Sequence, residues 1–450
     1  MRGISVKEAA EIVGGELYGT KNADSEILSV VIDSRKVLEG SMFAALKGER
    51  VDGHDYIQKA FELGAVCCIA EYVPEGCNGC VIVVPDVAAA LKVLAENYRL
   101  RFKGEVIGIA GSVGKTTAKE MVASVLSERY KVLKTEKNLN NELGVPLTIF
   151  RIEPEHEVAV IEMGISDFGE MSRLAKMVRP TKAVYTLIGH AHLEHLYNRE
   201  GVLKAKTEMV EYMPDNATLF LNADDDLLST YSCQQNRVLY GTGENADVKA
   251  ENIDTSSLVS LSCDIVSGDR SFRVTVPAYG KHMVYAALEG AAVGIAMGLS
   301  DKEIANGILN YETVGRRANI SDTGFITLID DCYNANPDSV KCGIDSLKGN
   351  SGRKVCILGD MLEMGENKEQ LHAGVGKYAA ENGADLLLAV GELSAYTCKA
   401  ADTIKSMHFD TNAQLIEKLP ELIRKGDTVL VKASHSMRFD EISEALKLLK

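Results

Sequence analysis

The chain has 450 residues, 46% of them hydrophobic and 25% charged, the balance of a globular protein too long for one ordinary core. Its formal net charge of −15 argues against nucleic acid as a partner, because phosphate backbones select basic stripes; any anionic ligand has to be held locally, by backbone N–H groups, a few Lys or Arg and bound cations. No run suggests a transmembrane span, and the opening MRGISVKEAAEIVGG alternates apolar and charged residues unlike a signal peptide, so a cytoplasmic protein without integral membrane association is expected.

Residues 1–103 mix short strand-like runs (ILSVVIDSR, SMFAALKG, GCVIVVP) with helical segments. The clearest helix spans 86–102, where Val87, Ala90, Leu91, Leu94 and Ala95 recur at helical spacing. Cys77 and Cys80 form a C-x-x-C in PEGCNGCVIV, but no second pair or nearby histidine completes a zinc site, so reduced thiols are expected. Over 104–315 the pattern changes to apolar runs (EVIGIAG, EVAVIEMG, KAVYTLIG, ATLFLNAD) separated by helical stretches, which predicts a parallel sheet covered on both faces. Polar and apolar residues alternate over 248–278, which predicts antiparallel strands turning at Ser267-Gly268-Asp269, and two helices follow over about 283–310. The strand–helix alternation resumes over 316–450 with FITLID, RKVCILGD, ADLLLAV and DTVLVKA. That segment has no G-x-G-x-x-G turn and is not read as a dinucleotide binder. The expected fold is α/β in three domains, with a central doubly wound P-loop unit and a C-terminal Rossmann-like unit.

The stretch GIAGSVGKTTAKEM, residues 108–121, carries the strongest chemical signal. The common spacing G-x-x-x-x-G-K-[ST] fails, since Ile109 stands where its first glycine belongs. What remains is a compact loop, Gly111-Ser112-Val113-Gly114-Lys115-Thr116-Thr117, between a strand and a helix. Glycines let backbone N–H groups crowd around phosphate oxygens, and the helix N-terminus adds a positive dipole. Lys115 can reach the terminal phosphates and Thr116 can offer a hydroxyl to Mg²⁺. Glu162 ends the next apolar run, at the edge where ligands gather in open α/β sheets, and TLIGHAHLEHL brings His190, His192, Glu194 and His195 to that edge.

The loop GSVGKTT, the strand-end EMG, and AHLEH followed by LKAKTEM together resemble the central domain of the Mur ligase family, ATP-dependent enzymes that add amino acids to the peptidoglycan precursor. DSRKVLEGSMFAALKGERVDGHDYI is similar to the family's uridine-nucleotide-binding segment. LIDDCYNANPDSV, ILGDMLEMGE and VLVKASHSMRFD resemble the third domain of the member that adds D-alanyl-D-alanine to a UDP-N-acetylmuramoyl-tripeptide. The resemblance implies that 1–103 binds the UDP substrate, 104–315 binds ATP, and 316–450 contributes to the cleft for ATP and the acceptor. It implies a peptide carboxylate attacking ATP to form an acyl phosphate, then attack by the dipeptide amine, in a protein expected to be monomeric.

By the same resemblance Lys115 holds the ATP phosphates within the loop Gly111 to Thr117, Thr116 and Glu162 hold one Mg²⁺, and His192 with a carbamylated Lys206 holds a second. Asn222, Asp224, Arg316, Asp331, Asn334 and Asn336 belong to the ATP site, with Tyr333 facing the cleft. Ser34, Arg35 and Lys47 are assigned to the UDP group, and Asn138, Asn140 and Asn141 to the UDP-substrate side of the cleft. Several positions depart from the family pattern. Leu187 and Ala286 stand where asparagines are usual, Leu196-Tyr197-Asn198 replaces aromatic-glycine-serine, and Ala433 and His435 replace glycine and arginine. These departures leave open a Mur ligase paralogue with another amino-acid or dipeptide acceptor. From a different class, a P-loop nucleotide-dependent binding or switch protein is the alternative, although it needs only one cation and no acceptor site.

Overall fold

In the computed structural model of the chain, the apolar runs bounded by turn residues become strands, and these collect into three sheets. The structure describes residues 1–48, 51–257, 260–278, 280–315, 319–350 and 352–450. The first sheet has five strands in the spatial order Glu16–Tyr18, Val81–Val83, Cys67–Ala70, Ser41–Ala44, Ser29–Val31, all parallel except the first. The strand Cys67–Ala70 is buried on both faces, so it shows no alternation to mark it in the sequence.

The helix expected over 86–102 forms as Val87–Arg101, capped by Asp86, whose carboxylate accepts from Ala89 N at 3.0 Å. It joins the first sheet to the central one. Tyr98 Oη donates to Ile152 O at 2.6 Å, Arg99 Nε donates to Val178 O at 2.7 Å, and one hydrophobic cluster runs from Ile4 through Leu94 to Leu174. The two segments therefore share a core, and their relative placement is set by buried apolar area together with directed hydrogen bonds.

The central sheet has nine strands. The P-loop strand Glu105–Ala110 lies inside it, between Val158–Glu162 and Lys182–Tyr185, all parallel. The strand that follows the P-loop helix, Val132–Lys134, pairs beyond Val158–Glu162, whereas Thr218–Asn222 and Asn236–Gly241 extend the sheet on the other side. The winding thus reverses at the P-loop strand, the place where open α/β sheets leave a crevice. The antiparallel part consists of Val248–Asp254, Leu261–Ser267 and Arg270–Val276. It turns at Gly268-Asp269, with Gly268 at φ +56°, and the helices Met283–Ala296 and Asp301–Leu309 follow.

The third sheet has six strands ordered Asn319–Asp322, Thr327–Asp330, Thr428–Lys432, Lys354–Gly359, Leu386–Val390, Lys405–Phe409. All but the first are parallel, and Thr428–Lys432 inserts between Thr327–Asp330 and Lys354–Gly359. This again makes a switch point, and its carboxyl edge carries Asp331, Asn334 and Lys432. Among the described residues no helix is long and apolar enough to cross a membrane.

Candidate active site

The loop after Ala110 is held by the strand end beside it. Gly111 has φ +150°, and a Cβ there would fall 1.9 Å from Thr186 Oγ1, so only glycine fits. Thr186 Oγ1 donates to Val113 O at 2.5 Å, and Ser112 N donates to Leu187 O at 2.7 Å. Ser112 Oγ accepts from Gly189 N at 3.0 Å. Gly114, at φ +85°, caps the helix Lys115–Ser127, and Val113, Lys115 and Thr117 are half-buried around it. Lys115 Nζ donates to Gly111 O at 2.9 Å, which folds the cation over the loop. Loop amides, helix N-terminus and lysine thus converge on one anion-binding concavity.

Beneath the loop sits the carboxylate. Glu162 is buried, and its two oxygens accept from Thr116 Oγ1 at 3.1 and 3.0 Å while Asn140 Nδ2 donates to Oε1 at 2.8 Å. Glu162 N donates to Thr135 Oγ1 at 3.0 Å, which fixes the strand end. A hydroxyl and a carboxylate are hard oxygen donors suited to Mg²⁺, an ion that keeps water and phosphate oxygens for its remaining positions. These protein groups fit a Mg²⁺ bound together with a nucleotide. Among the described residues no group of three or more His, Cys, Asp and Glu is placed to hold a metal.

Lys206 is 1% exposed, and burial pushes its amine well below the ordinary lysine value, with the charge of Lys115 pushing the same way. His192 lies at the strand-end loop with φ +55°, and its Nδ1 is 2.5 Å from Glu363 Oε2 of the C-terminal segment. His190 meets the same segment differently: its N–H donates to Asp338 Oδ2 at 2.7 Å. Glu194 and His195, expected at the same edge, are exposed.

On the facing sheet, Lys432 is 3% exposed and its Nζ donates to Asp331 Oδ2 at 2.6 Å and Asn334 O at 2.9 Å. Removing one partner of such a buried pair typically costs about 3–5 kcal/mol. Asn336 caps the helix Pro337–Asp345, its side chain accepting from Ser339 N at 2.8 Å, and the ring of Tyr333 lies 5.6 Å from that of His435. Arg316 lies outside the described residues. Lys432, Asp338, Glu363 and Thr186 belong to the site and escape sequence reasoning. Only Lys432 and Thr186 leave a trace there, as polar residues closing apolar runs.

Asn222 and Asp224 support the site from the adjacent strand. Asn222 Nδ2 donates to Thr186 O at 2.9 Å, steadying the residue that steadies the P-loop. Burial raises Asp224, but hydrogen bonds from Thr242 N, Thr242 Oγ1, Tyr285 Oη and Gly243 N outweigh it and hold the carboxyl below its usual range. In the first segment Ser34 and Lys47 lie at the carboxyl edge of the sheet, and Arg35 pairs with Asp33 at 2.9 Å with its side chain 87% exposed. Of the three asparagines, Asn140 is drawn to Glu162 and Asn141 accepts from Leu143 N at 3.2 Å and Gly144 N at 2.8 Å, while Asn138 is exposed.

Most departures have a local explanation. Leu196 is fully buried, and Asn198 caps the helix Arg199–Thr207 by accepting from Gly201 N at 2.8 Å, as a serine would. Tyr197, in the place of a glycine, keeps the positive φ, +64°. Ala433 packs against Gly359, where a Cβ would fall 2.6 Å from its methyl and 2.5 Å from the Phe439 ring. Leu187 serves the P-loop through its carbonyl, which any residue supplies, and Ala286 is buried in the helix Met283–Ala296.

A phosphate-gripping loop, a hydroxyl–carboxylate pair and a facing α/β domain define a nucleotide-dependent enzyme of the ligase type. Sequence profiles agree. The Mur ligase middle domain matches residues 109–294, the glutamate ligase domain of Mur ligases matches 315–435, and the Mur ligase catalytic domain matches 26–99. The UDP-N-acetylmuramoyl-tripeptide–D-alanyl-D-alanine ligase of Bacillus subtilis is 35% identical over 456 residues, 98% of each chain. A MurF crystal structure from Acinetobacter baumannii superposes with a TM-score of 0.91 at 30% identity, over 99% of this chain and 98% of that one. MurF from Thermotoga maritima in complex with ADP superposes at 0.82 and 28% identity, over 94% and 98%. The chain belongs to the Mur ligase family.

Proposed function

We propose that the protein joins D-alanyl-D-alanine to UDP-N-acetylmuramoyl-tripeptide at the expense of ATP, releasing ADP and phosphate. The observation that carries this reading is the Thr116–Glu162–Asn140 cluster directly beneath the phosphate loop, in a chain whose full-length relatives bear the name of that ligase.

In the first step a carboxylate oxygen of the tripeptide forms a bond to the γ-phosphorus of ATP while the bond to the β-bridging oxygen breaks and ADP leaves. In the second, the dipeptide amine attacks the acyl carbon, the carbon–oxygen bond to phosphate breaks, and the amine nitrogen gives up a proton. Both steps gather negative charge, so the rate depends on fixed positive groups and alignment. Lys115 and the amides of the loop from Val113 to Thr117 neutralise the phosphates. Thr116 and Glu162 hold one Mg²⁺, and His192 with a carbamate on Lys206 holds another. Bound there, Mg²⁺ supplies Lewis-acid charge at the phosphates. What supports the carbamate is the burial of Lys206 beside Lys115: both favour a neutral amine, the form that adds carbon dioxide. Asn222 and Asp224 line the nucleotide pocket, and Asp331, Asn334 and Asn336 face ATP and the acceptor when the domains close. Ser34, Arg35 and Lys47 take the UDP group, with Asn138, Asn140 and Asn141 on the substrate side of the cleft.

Phosphate release from ATP and Mg²⁺ tests the proposal, measured with the UDP-tripeptide present and the dipeptide added or withheld. Release that needs both, with a UDP-pentapeptide as product, is expected. Release with the tripeptide only when another amine is supplied identifies a different acceptor. Release indifferent to the tripeptide refutes the ligase reading in favour of a nucleotide switch.

A further inference from the structure

We infer that Asp338 is a positioning residue that sets the register of the C-terminal domain on the phosphate loop, and that residue 189 is glycine to admit its carboxylate. The activity readouts of this inference rest on the ligase reading; its structural readout does not.

Asp338 is the second residue of the helix Pro337–Asp345. Its Oδ2 accepts from His190 N at 2.7 Å, and its two oxygens lie 3.3 and 3.2 Å from His190 Nδ1. Directly beside them, a Cβ built on Gly189 would fall 2.3 Å from Asp338 Oδ2 and 3.0 Å from its Cγ. The third of its three nearest neighbours is again an atom of Asp338, the Cβ at 3.5 Å. Residue 189 does not have the positive φ that calls for glycine, so backbone conformation does not account for it. What a side chain would displace is the Asp338 carboxylate, and with it the contact that the C-terminal domain makes to His190 N.

The same glycine is tied to the phosphate loop from its other side. Gly189 N donates to Ser112 Oγ at 3.0 Å, and Ser112 Oγ donates back to Gly189 O at 3.3 Å. A carboxylate of one domain and a hydroxyl of the loop therefore grip adjacent peptide units. An acidic residue in the first turn of a helix is favourable through the helix dipole alone. That local effect explains the acid but not the missing side chain opposite it. Register matters here because phosphoryl acceptor and amine approach from different domains, and a misplacement of about 1 Å can cost about a hundredfold in rate.

The test uses the full chain and four variants: Asp338→Ala, Asp338→Asn, Gly189→Ala and the Gly189→Ala/Asp338→Ala pair. Ligation gives kcat and KM, equilibrium binding gives the ADP affinity, and solution scattering with ADP gives compactness. Asp338→Ala is expected to lower kcat about tenfold or more, with ADP affinity and thermal midpoint unchanged. Asp338→Asn, which keeps an acceptor for His190 N, recovers most of the rate. Gly189→Ala lowers kcat further and opens the chain, and adding Asp338→Ala to it restores part of both, because the colliding carboxylate is gone. Gly189→Ala with the wild-type rate and compactness overturns the inference, as does a double variant worse than both single ones or a rate loss that tracks the thermal midpoint. Should the wild-type chain itself not ligate, the ligase reading fails, and the scattering comparison still decides the register.

Discussion

The phosphate-loop end of this molecule and the first-sheet edge proposed for the UDP group are built by opposite means. Around the P-loop nearly every polar group is tied to a neighbour: Lys115 to Gly111 O, Thr116 and Asn140 to Glu162, Asn222 to Thr186 O. At the first sheet's edge Arg35 reaches no farther than Asp33, two residues away, and stands in solvent, as does Lys47. Groups that meet developing charge gain from being fixed in advance, since no reorganisation is needed in the transition state. Groups that only hold a distant part of the substrate can adapt on binding, and they act on KM. Preorganisation is thus concentrated where the chemistry occurs.

The largest effect should come from Lys115. Lys115→Ala is expected to lower kcat by about a thousandfold while the chain stays folded, and a loss below about tenfold would break the comparison. Next is Lys206, whose buried amine is costly to the fold. Lys206→Met should cut turnover by about a hundredfold yet leave the thermal midpoint equal or higher, since an apolar side chain replaces a buried polar amine. Activity and calorimetry on one preparation check both halves.

The interior behind the site makes a prediction in pH. Glu289 accepts from Tyr240 Oη at 2.9 Å, and burial pushes its carboxyl from 4.5 up to about 8. The folded chain keeps a proton that the unfolded chain releases. This contribution to stability is therefore full below 4.5 and is lost as pH rises to about 8. Glu289→Gln should gain stability over the parent across that window and hold the gain above it; parallel denaturation curves at several pH values would show this.

Smaller effects belong to the exposed end and the surface. Arg35→Ala should raise KM for the UDP-peptide about threefold to tenfold with kcat unchanged, and a fall in kcat instead would mean that this edge, too, is preorganised. Tyr197→Gly, which relieves a bulky residue at positive φ, should stabilise the chain by about 1 kcal/mol without touching activity.

These regions also differ in how legible they are. The P-loop, its helix, Glu162 and the helix over 86–102 are local patterns with a fixed spacing, and they form as the sequence predicts. Strand order is not local: nothing near Thr428–Lys432 says that it inserts between two earlier strands, so Lys432 beside Asp331 cannot be foreseen. Asp338 and Glu363 are hidden for the same reason, since their partners His190 and His192 lie 148 and 171 residues away. The departures become intelligible only in three dimensions. Tyr197 stands at the positive φ where the family has glycine, and Asn198 caps the next helix as a serine would, which spacing alone does not show.

In the proposed ligase the phosphate loop activates a peptide carboxylate. The most direct measurement labels the terminal carboxylate of the UDP-tripeptide with heavy oxygen and follows ligation to D-alanyl-D-alanine by mass spectrometry. The account predicts one labelled oxygen in the released phosphate for each amide bond formed. Unlabelled phosphate alongside amide formation would contradict it.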